Sequence, residues 1–415
     1  MNGLEYIFHP DNSIIEKIFF EYKILIKKHI DSMIIIINDF ENTFKLSFFK
    51  KINFFESDET IDDITNKISQ LIDNKQIKIE KNEINLILIL QLTEININLS
   101  LNKIPENKKF KYIKSINLSY KTTIYAHLGN IWSMSVFPSG NLISVAEDKS
   151  IIIFDKNYNI IQNIQNAHSD AIYFVNIKDE NNFVTCSRDK NIIIWEKINN
   201  NFTIKEKIIN AHEDNISKVI YLKNDNIISC SIDNTVKIWE LNNNNKHQCL
   251  TVLTHSNNIT SILYLEDKKI LISSGEDQTI FWNTQNYSVI KNFDDVECCS
   301  NDSLIRLNDD QIIVAYDDII KILSISEQKV IKEIENYLIV WCICILKDLG
   351  IFLTVGYGSK IIRIYNIETF QCIQAIKGTH NDDIIGVINL NNKLIGTYSF
   401  ENIIKIWSIS ETYFN

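Results

Sequence analysis

Glycine is scarce in this chain, ten residues in 415, whereas a backbone cradle for phosphate needs several close together. No G-x-S-x-G, glycine-rich phosphate loop or H-E-x-x-H occurs, so acyl transfer, nucleotide chemistry and zinc proteolysis lack a starting motif. Arginine is rarer still: Arg188, Arg306 and Arg363 are the whole complement, and the net charge is −10. That balance argues against an electrostatic footprint for nucleic acid or an anionic bilayer. Apolar runs stay short of the roughly 18 residues that cross a membrane. The N-terminus, with Glu5, His9, Asp11 and Glu16, lacks the basic and apolar pattern of a signal peptide. A soluble cytoplasmic protein is expected, with neither nucleic acid nor membrane insertion among its partnerships.

Cysteine is absent before residue 186, and the eight that follow show no regular pairing. Cys342 and Cys344 are two apart on a presumed strand and share a face, while the adjacent Cys298 and Cys299 face opposite ways. A zinc site needs four ligands at suitable spacing, and His247 with Cys249 is the one nearby imidazole–thiol pair. Free, mostly buried thiols in a reducing compartment are expected, with no metal and no cofactor. The Asn242–Asn245 run reads as a polar inter-strand loop, since the wealth of Ile, Asn and Lys fits an AT-biased genome as well as any functional tract.

What the chain does have is a phrase that returns at a fixed interval. Ala-His is followed by about twenty residues, an Asp, and an aromatic six places later. The clearest copies join His127, Asp148 and Phe154; His168, Asp189 and Trp195; and His212, Asp233 and Trp239. A fourth has His255, Asp277 and Trp282, and the last has His380, Glu401 and Trp407. The interval between His255 and His380 divides into three ordinary periods, so two degenerate repeats lie between, with closing strands at Ile319–Leu323 and Ile361–Tyr365. Those two have lost the His and, in the second, the Asp. Seven repeats result. Apolar runs dense in Ile, Val and Phe, bounded by Asn, Asp, Lys and Gly, read as short strands, and one small sheet cannot bury both its faces without neighbours.

The pattern resembles the WD-repeat (WD40) family over residues 115–415. The resemblance implies an all-β, seven-bladed propeller in which His, Ser/Thr, Asp and Trp form a hydrogen-bonded tetrad in each four-stranded blade. The Ser/Thr, four residues before the Asp, maps to Ser144, Thr185, Ser229, Ser273 and Thr397. Most closing dipeptides here are not Trp-Asp, Phe154 has no indole donor, and blades 1, 5 and 6 are expected to have incomplete networks. Blade 4 is one residue short between Asp277 and Trp282, which shifts the register unless the turn absorbs it. After Trp407 too little chain remains for a further strand, so residues Ile116 to Tyr125 are expected to supply the outer strand of blade 7 and close the ring without a free edge.

Residues 1–105 read as a small α+β domain, followed by a linker over 106–114 and the propeller from 115 to 415. An amphipathic helix is expected over residues 13–28, with Ile14, Ile18 and Leu25 on one face, and a second over Thr60 to Asp73. Strands are expected at Met33–Asn38, Phe44–Phe49, Ile77–Glu80, Ile84–Leu90 and Ile95–Leu101. The first helix packs on this sheet or else dimerises the chain, so a homodimer through the N-terminal domain is one outcome.

Each well-formed blade holds the parts of a nucleophilic triad. A constellation that appears five times at equivalent places is structural, its groups satisfying one another within the sheet, and no enzyme is expected. In the WD-repeat family, residues three and five after the repeat His point to the top-face rim. Carried over, these include Asn130, Trp132, Tyr173, Asn215, Asn258 and Asp383, with Trp341 placed there by aligning the degenerate sixth repeat. The paired positions Ala171, Ser217, Thr260, Ile339 and Ile385 are carried over with them. The side chains of Trp132 and Tyr173 are expected in the channel mouth rather than in the core. Trp132, Tyr173 and Trp341 suit docking of a protein segment, and Asp383 suits a basic group. The expected function is a non-catalytic scaffold or adaptor that binds a protein or peptide partner. The alternative, a substrate receptor of a ubiquitin ligase, lacks the Trp-Asp-x-Arg signature after Trp195 and Trp239.

Overall fold

A computed structural model describes the strands between residues 6 and 102, and residues 114–413 apart from positions 299, 337, 338, 359 and 392. The chain divides into two compact units, residues 1–114 with 413–415, and Ser115–Thr412.

In the first unit, β1 (Tyr6–Phe8), β2 (Ile14–Phe19), β3 (Tyr22–Lys28), β4 (Ser32–Asn38) and β5 (Thr43–Phe49) form one antiparallel sheet in chain order. A second sheet holds β6 (Ile77–Lys81), β7 (Asn85–Leu92) and β8 (Ile95–Asn102). The five expected strands are present within a residue or two of their expected bounds. The helix expected over residues 13–28 is not: that segment is a β2–β3 hairpin, with Ile14 opposite Lys27 and Phe19 opposite Tyr22. Its density of Ile, Phe and Tyr favours extended chain over helix, and β3 pairs along the β4 edge that a helix would leave open. The helix expected over 60–73 and the linker over 106–113 lie outside the described residues, and Lys114 already begins a strand.

The second unit is a ring of seven four-stranded antiparallel sheets. Blades 1 to 6 span Ile131–Ile164, Ile172–Ile208, Ile216–Thr254, Ile259–Phe293, Leu304–Glu335 and Cys342–Lys377. Blade 7 takes three strands from Ile384–Tyr413 and its outermost from Lys114–Tyr125. The ring therefore closes through the strand that precedes blade 1, and the Ser408 hydroxyl donates to the Ser119 carbonyl at 3.3 Å.

Burial follows position within a blade. The second and third strands are mostly buried, entirely so in Leu142–Ala146 and Ile151–Phe154, and the outermost, Ile160–Ile164, is half exposed. Continuous apolar runs are what strands covered on both faces require. Apolar clusters then fill each gap between blades, for example Phe137, Phe183, Trp195 and Phe202 between blades 1 and 2. Three junctions are also sewn on the outside by a side chain that pairs with the neighbouring backbone. Gln162 both accepts from Phe202 N and donates to Phe202 O, Glu206 accepts from His247 N, and Gln374 accepts from Ile116 N.

Candidate functional site

In a four-stranded antiparallel blade, the loop joining the second and third strands emerges at the same end as the loop leading to the next blade. The repeat histidines sit in the second kind of loop and the repeat acids in the first, so both gather at one end, called the top here.

The tetrads form as their spacing demands. In blade 3, His212 Nδ1 meets Asp233 Oδ2 at 2.9 Å and Nε2 meets Ser229 Oγ at 2.7 Å, while Trp239 Nε1 donates to that hydroxyl at 2.9 Å. Blades 2 and 7 repeat this with His168, Thr185, Asp189 and Trp195, and with His380, Thr397, Glu401 and Trp407. Blade 1 has His127, Ser144 and Asp148 without an indole. Ser150 joins it instead, 2.9 Å from His127 Nδ1. In blades 1 to 6 the outermost strand carries a one-residue bulge opposite the closing residue, Phe154, Trp195, Trp239, Trp282, Leu323 or Tyr365.

Blade 4 absorbs its missing residue in the turn. Trp282 still pairs with Leu271, two places before Ser273, as Trp239 pairs with Ile227 before Ser229. The shortened turn costs one link: His255 Nε2 reaches Ser273 at 2.6 Å, but Nδ1 lies 3.9 Å from Asp277 Oδ1, and both atoms are buried without a partner among the described residues. Blade 6 keeps more than its sequence advertises. Asn336, five residues before Trp341 as His127 is before Trp132, takes the histidine's place, and its Oδ1 accepts from Thr354 Oγ1 at 3.3 Å and from the Tyr365 hydroxyl.

All five tetrad imidazoles have no exposed side-chain surface, so each is closed off within its blade. Burial raises the carboxyls of Asp148, Asp189 and Asp233. Hydrogen bonds from the facing histidine and from the turn outweigh it, and all three sit well below the usual carboxylate range. Burial depresses His168 and His212 and brings His255 and His380 down to about 4.

The rim carries a second set of bulges. In the innermost strands of blades 1, 2, 3, 4 and 7 the register skips one residue, and the skipped residues are Trp132, Tyr173, Ser217, Thr260 and Ile385. A bulge takes its side chain out of the strict alternation of the strand. Trp341 lies just ahead of the regular first strand of blade 6. Gly356 lets this stretch approach, since a Cβ there would lie 1.8 Å from the Ile339 carbonyl oxygen.

These side chains make a continuous file of rings. Tyr173 meets Trp132 edge to face at 5.8 Å, Trp132 meets Phe400 at 6.4 Å, Phe400 meets Trp341 at 5.6 Å, and Trp341 stacks on Tyr357 at 5.3 Å. Phe400 and Tyr357 escaped the sequence reading. The signal was available, because Phe400 directly precedes the tetrad acid Glu401 and Tyr357 precedes Gly358, which occupies the same place in blade 6. The rings are not free-standing: Trp132, Trp341 and Phe400 are half-buried against the core between blades 7 and 1, which corrects the expectation that Trp132 points into the channel mouth rather than the core. Trp132 Nε1 is buried with no partner among the described residues. Tyr357 is 51% exposed and the most open of the five.

The polar rim residues are tied into their loops. Asn130 Nδ2 donates to Glu147 at 2.9 Å, Asn258 Nδ2 to Glu276 at 3.2 Å, the Asn215 carbonyl accepts from Ser231 Oγ at 2.7 Å, and Asp383 Oδ2 accepts from Gly358 N at 2.9 Å. Ala171, Ser217 and Ile385 are buried. Inside the channel Lys218 is buried, its ammonium 5.0 Å from the Phe174 ring centre, 3.3 Å from Ser261 Oγ, and bonded to the Asn301 carbonyl.

Among the described residues no cluster of His, Cys, Asp and Glu could hold a metal ion, and His247 is engaged by Glu206 and by the Asp225 carbonyl. Among the described residues Cys186, Cys230, Cys298, Cys342 and Cys344 are buried free thiols. No helix of the described residues is long and apolar enough to cross a membrane. The sequence model of the family described as WD domain, G-beta repeat matches residues 118–155, 160–196, 204–240 and 247–282. Comparison with curated proteins gives no match.

Proposed function

Because residues 115–412 form a seven-bladed propeller of the WD40 family, a fold that generally serves protein interaction, we propose that this chain is a non-catalytic scaffold whose top end binds a protein segment. The observation that carries the reading is the file of five aromatic rings from Tyr173 to Tyr357. Aromatic side chains concentrate binding energy at interfaces, and five in contact at one end, partly open to solvent, make a surface suited to that use. The buried tetrads support the absence of catalysis in the propeller, and free thiols fit a reducing compartment such as the cytoplasm. The N-terminal unit serves as a second recruiting or self-associating module in this scheme.

The test is affinity purification of the full chain from its native cell with mass spectrometry, beside Tyr173→Ala and Tyr357→Ala. Partners shared by repeated purifications of the unaltered chain should be lost or reduced about tenfold or more in both variants, the effect of removing one interface anchor. An unchanged partner set would place the binding surface elsewhere.

A further inference from the structure

Charge divides the propeller's two ends. The loops at the top carry eighteen Asp and Glu against four Lys and Arg, whereas the loops at the opposite end carry eleven against eight. Five of the top acids belong to the tetrads, and removing them leaves the imbalance in place. Glu147, Glu213, Asp317, Asp318 and Asp382 are exposed. The acids also flank the rings. Glu147 and Asp170 act electrostatically on the Tyr173 phenol, together with Arg188, which lies 3.7 Å from Asp170. At the other end of the file, Asp383 is hydrogen-bonded to the backbone of Gly358, next to Tyr357.

We propose that the occupant of this face is a basic segment of a partner protein, one that lays arginine or lysine side chains on the Tyr173–Tyr357 file. This rests on the reading of the top end as a docking face and adds the chemistry of what docks. Two independent features select the same sign. The faces of Trp, Tyr and Phe rings attract cations, and the surrounding carboxylates attract them over a longer range. A guanidinium fits best, because it stacks flat on a ring while its fork reaches a carboxylate. An acidic segment would meet repulsion at every approach. An uncharged apolar one would gain the rings and leave the carboxylates unused.

A randomised twelve-residue peptide library displayed against the immobilised full chain tests this, with Tyr357→Ala as the counter-target. Peptides that bind the unaltered chain and are lost on Tyr357→Ala should carry net positive charge and be enriched in arginine. Their affinity should fall about tenfold on the triple change Glu147→Gln, Asp170→Asn, Asp382→Asn at low salt, and that difference should shrink as salt rises. Enriched peptides that depend on Tyr357 but are neutral or acidic would overturn the basic-partner inference and leave the docking face intact. A selection in which no enriched peptide depends on Tyr357 would overturn both.

Discussion

Replacing the same tetrad acid in two neighbouring blades should give unequal losses, and the geometry says by how much. Asp233 is 7% exposed and accepts from His212 Nδ1 at 2.9 Å, Glu213 N at 2.9 Å, Thr235 N at 2.9 Å and Thr235 Oγ1 at 2.6 Å. Asp233→Ala strands these donors in and beside the sheet, at a cost of about 3 kcal/mol once partial rescue by water is allowed. Asp277 is 21% exposed, stands 3.9 Å from His255, and its one hydrogen-bond donor among the described residues is the Ser256 hydroxyl. Asp277→Ala therefore costs about 1 kcal/mol or less. At roughly 2–4 °C of Tm per kcal/mol for a domain of this size class, Asp233→Ala should lower the melting temperature by about 6–12 °C and Asp277→Ala by about 4 °C at most. Circular dichroism melts of the two variants in parallel make the measurement. Equal losses, or a greater loss for Asp277→Ala, would refute the claim that the short turn has already broken the blade 4 link.

Acid should weaken the propeller from near neutrality downward. His255 and His380 fall from 6.5 to about 4 on folding, so below pH 6.5 the unfolded chain takes up protons before the folded one. Their contribution is whole above that pH and is lost as pH falls toward 4, on the order of 3 kcal/mol for each. Urea midpoints between pH 7 and pH 4 should drop accordingly, and a flat profile over that interval would contradict the assignment. Ring closure is tested by truncation: a chain beginning at Ala126 lacks the outer strand of blade 7 and should aggregate or melt early, whereas one beginning at Phe110 should stay soluble. Equal solubility and equal melting of the two would show that the strand is dispensable.

The sequence by itself determined the parts that repeat. Five copies of one His–acid–aromatic spacing in phase made the blade number legible from residues 115–415, and the resemblance to the WD-repeat family carried tetrad membership onto each copy. Local pattern misled where nothing repeats. Ile14, Ile18 and Leu25 fit a helical stripe, and only pairing with the neighbouring strand edge decided for the β2–β3 hairpin. Asn336 illustrates another limit: an asparagine can replace a histidine as an acceptor for Thr354 and Tyr365, but sequence does not say that the two hydroxyls arrive. The aromatic file depended on tertiary structure most of all. Trp132 and Phe400 belong to the first and last blades and meet because the ring closes, and the bulges at Trp132 and Tyr173 are set by strand register, a property of pairs of strands that no single segment carries.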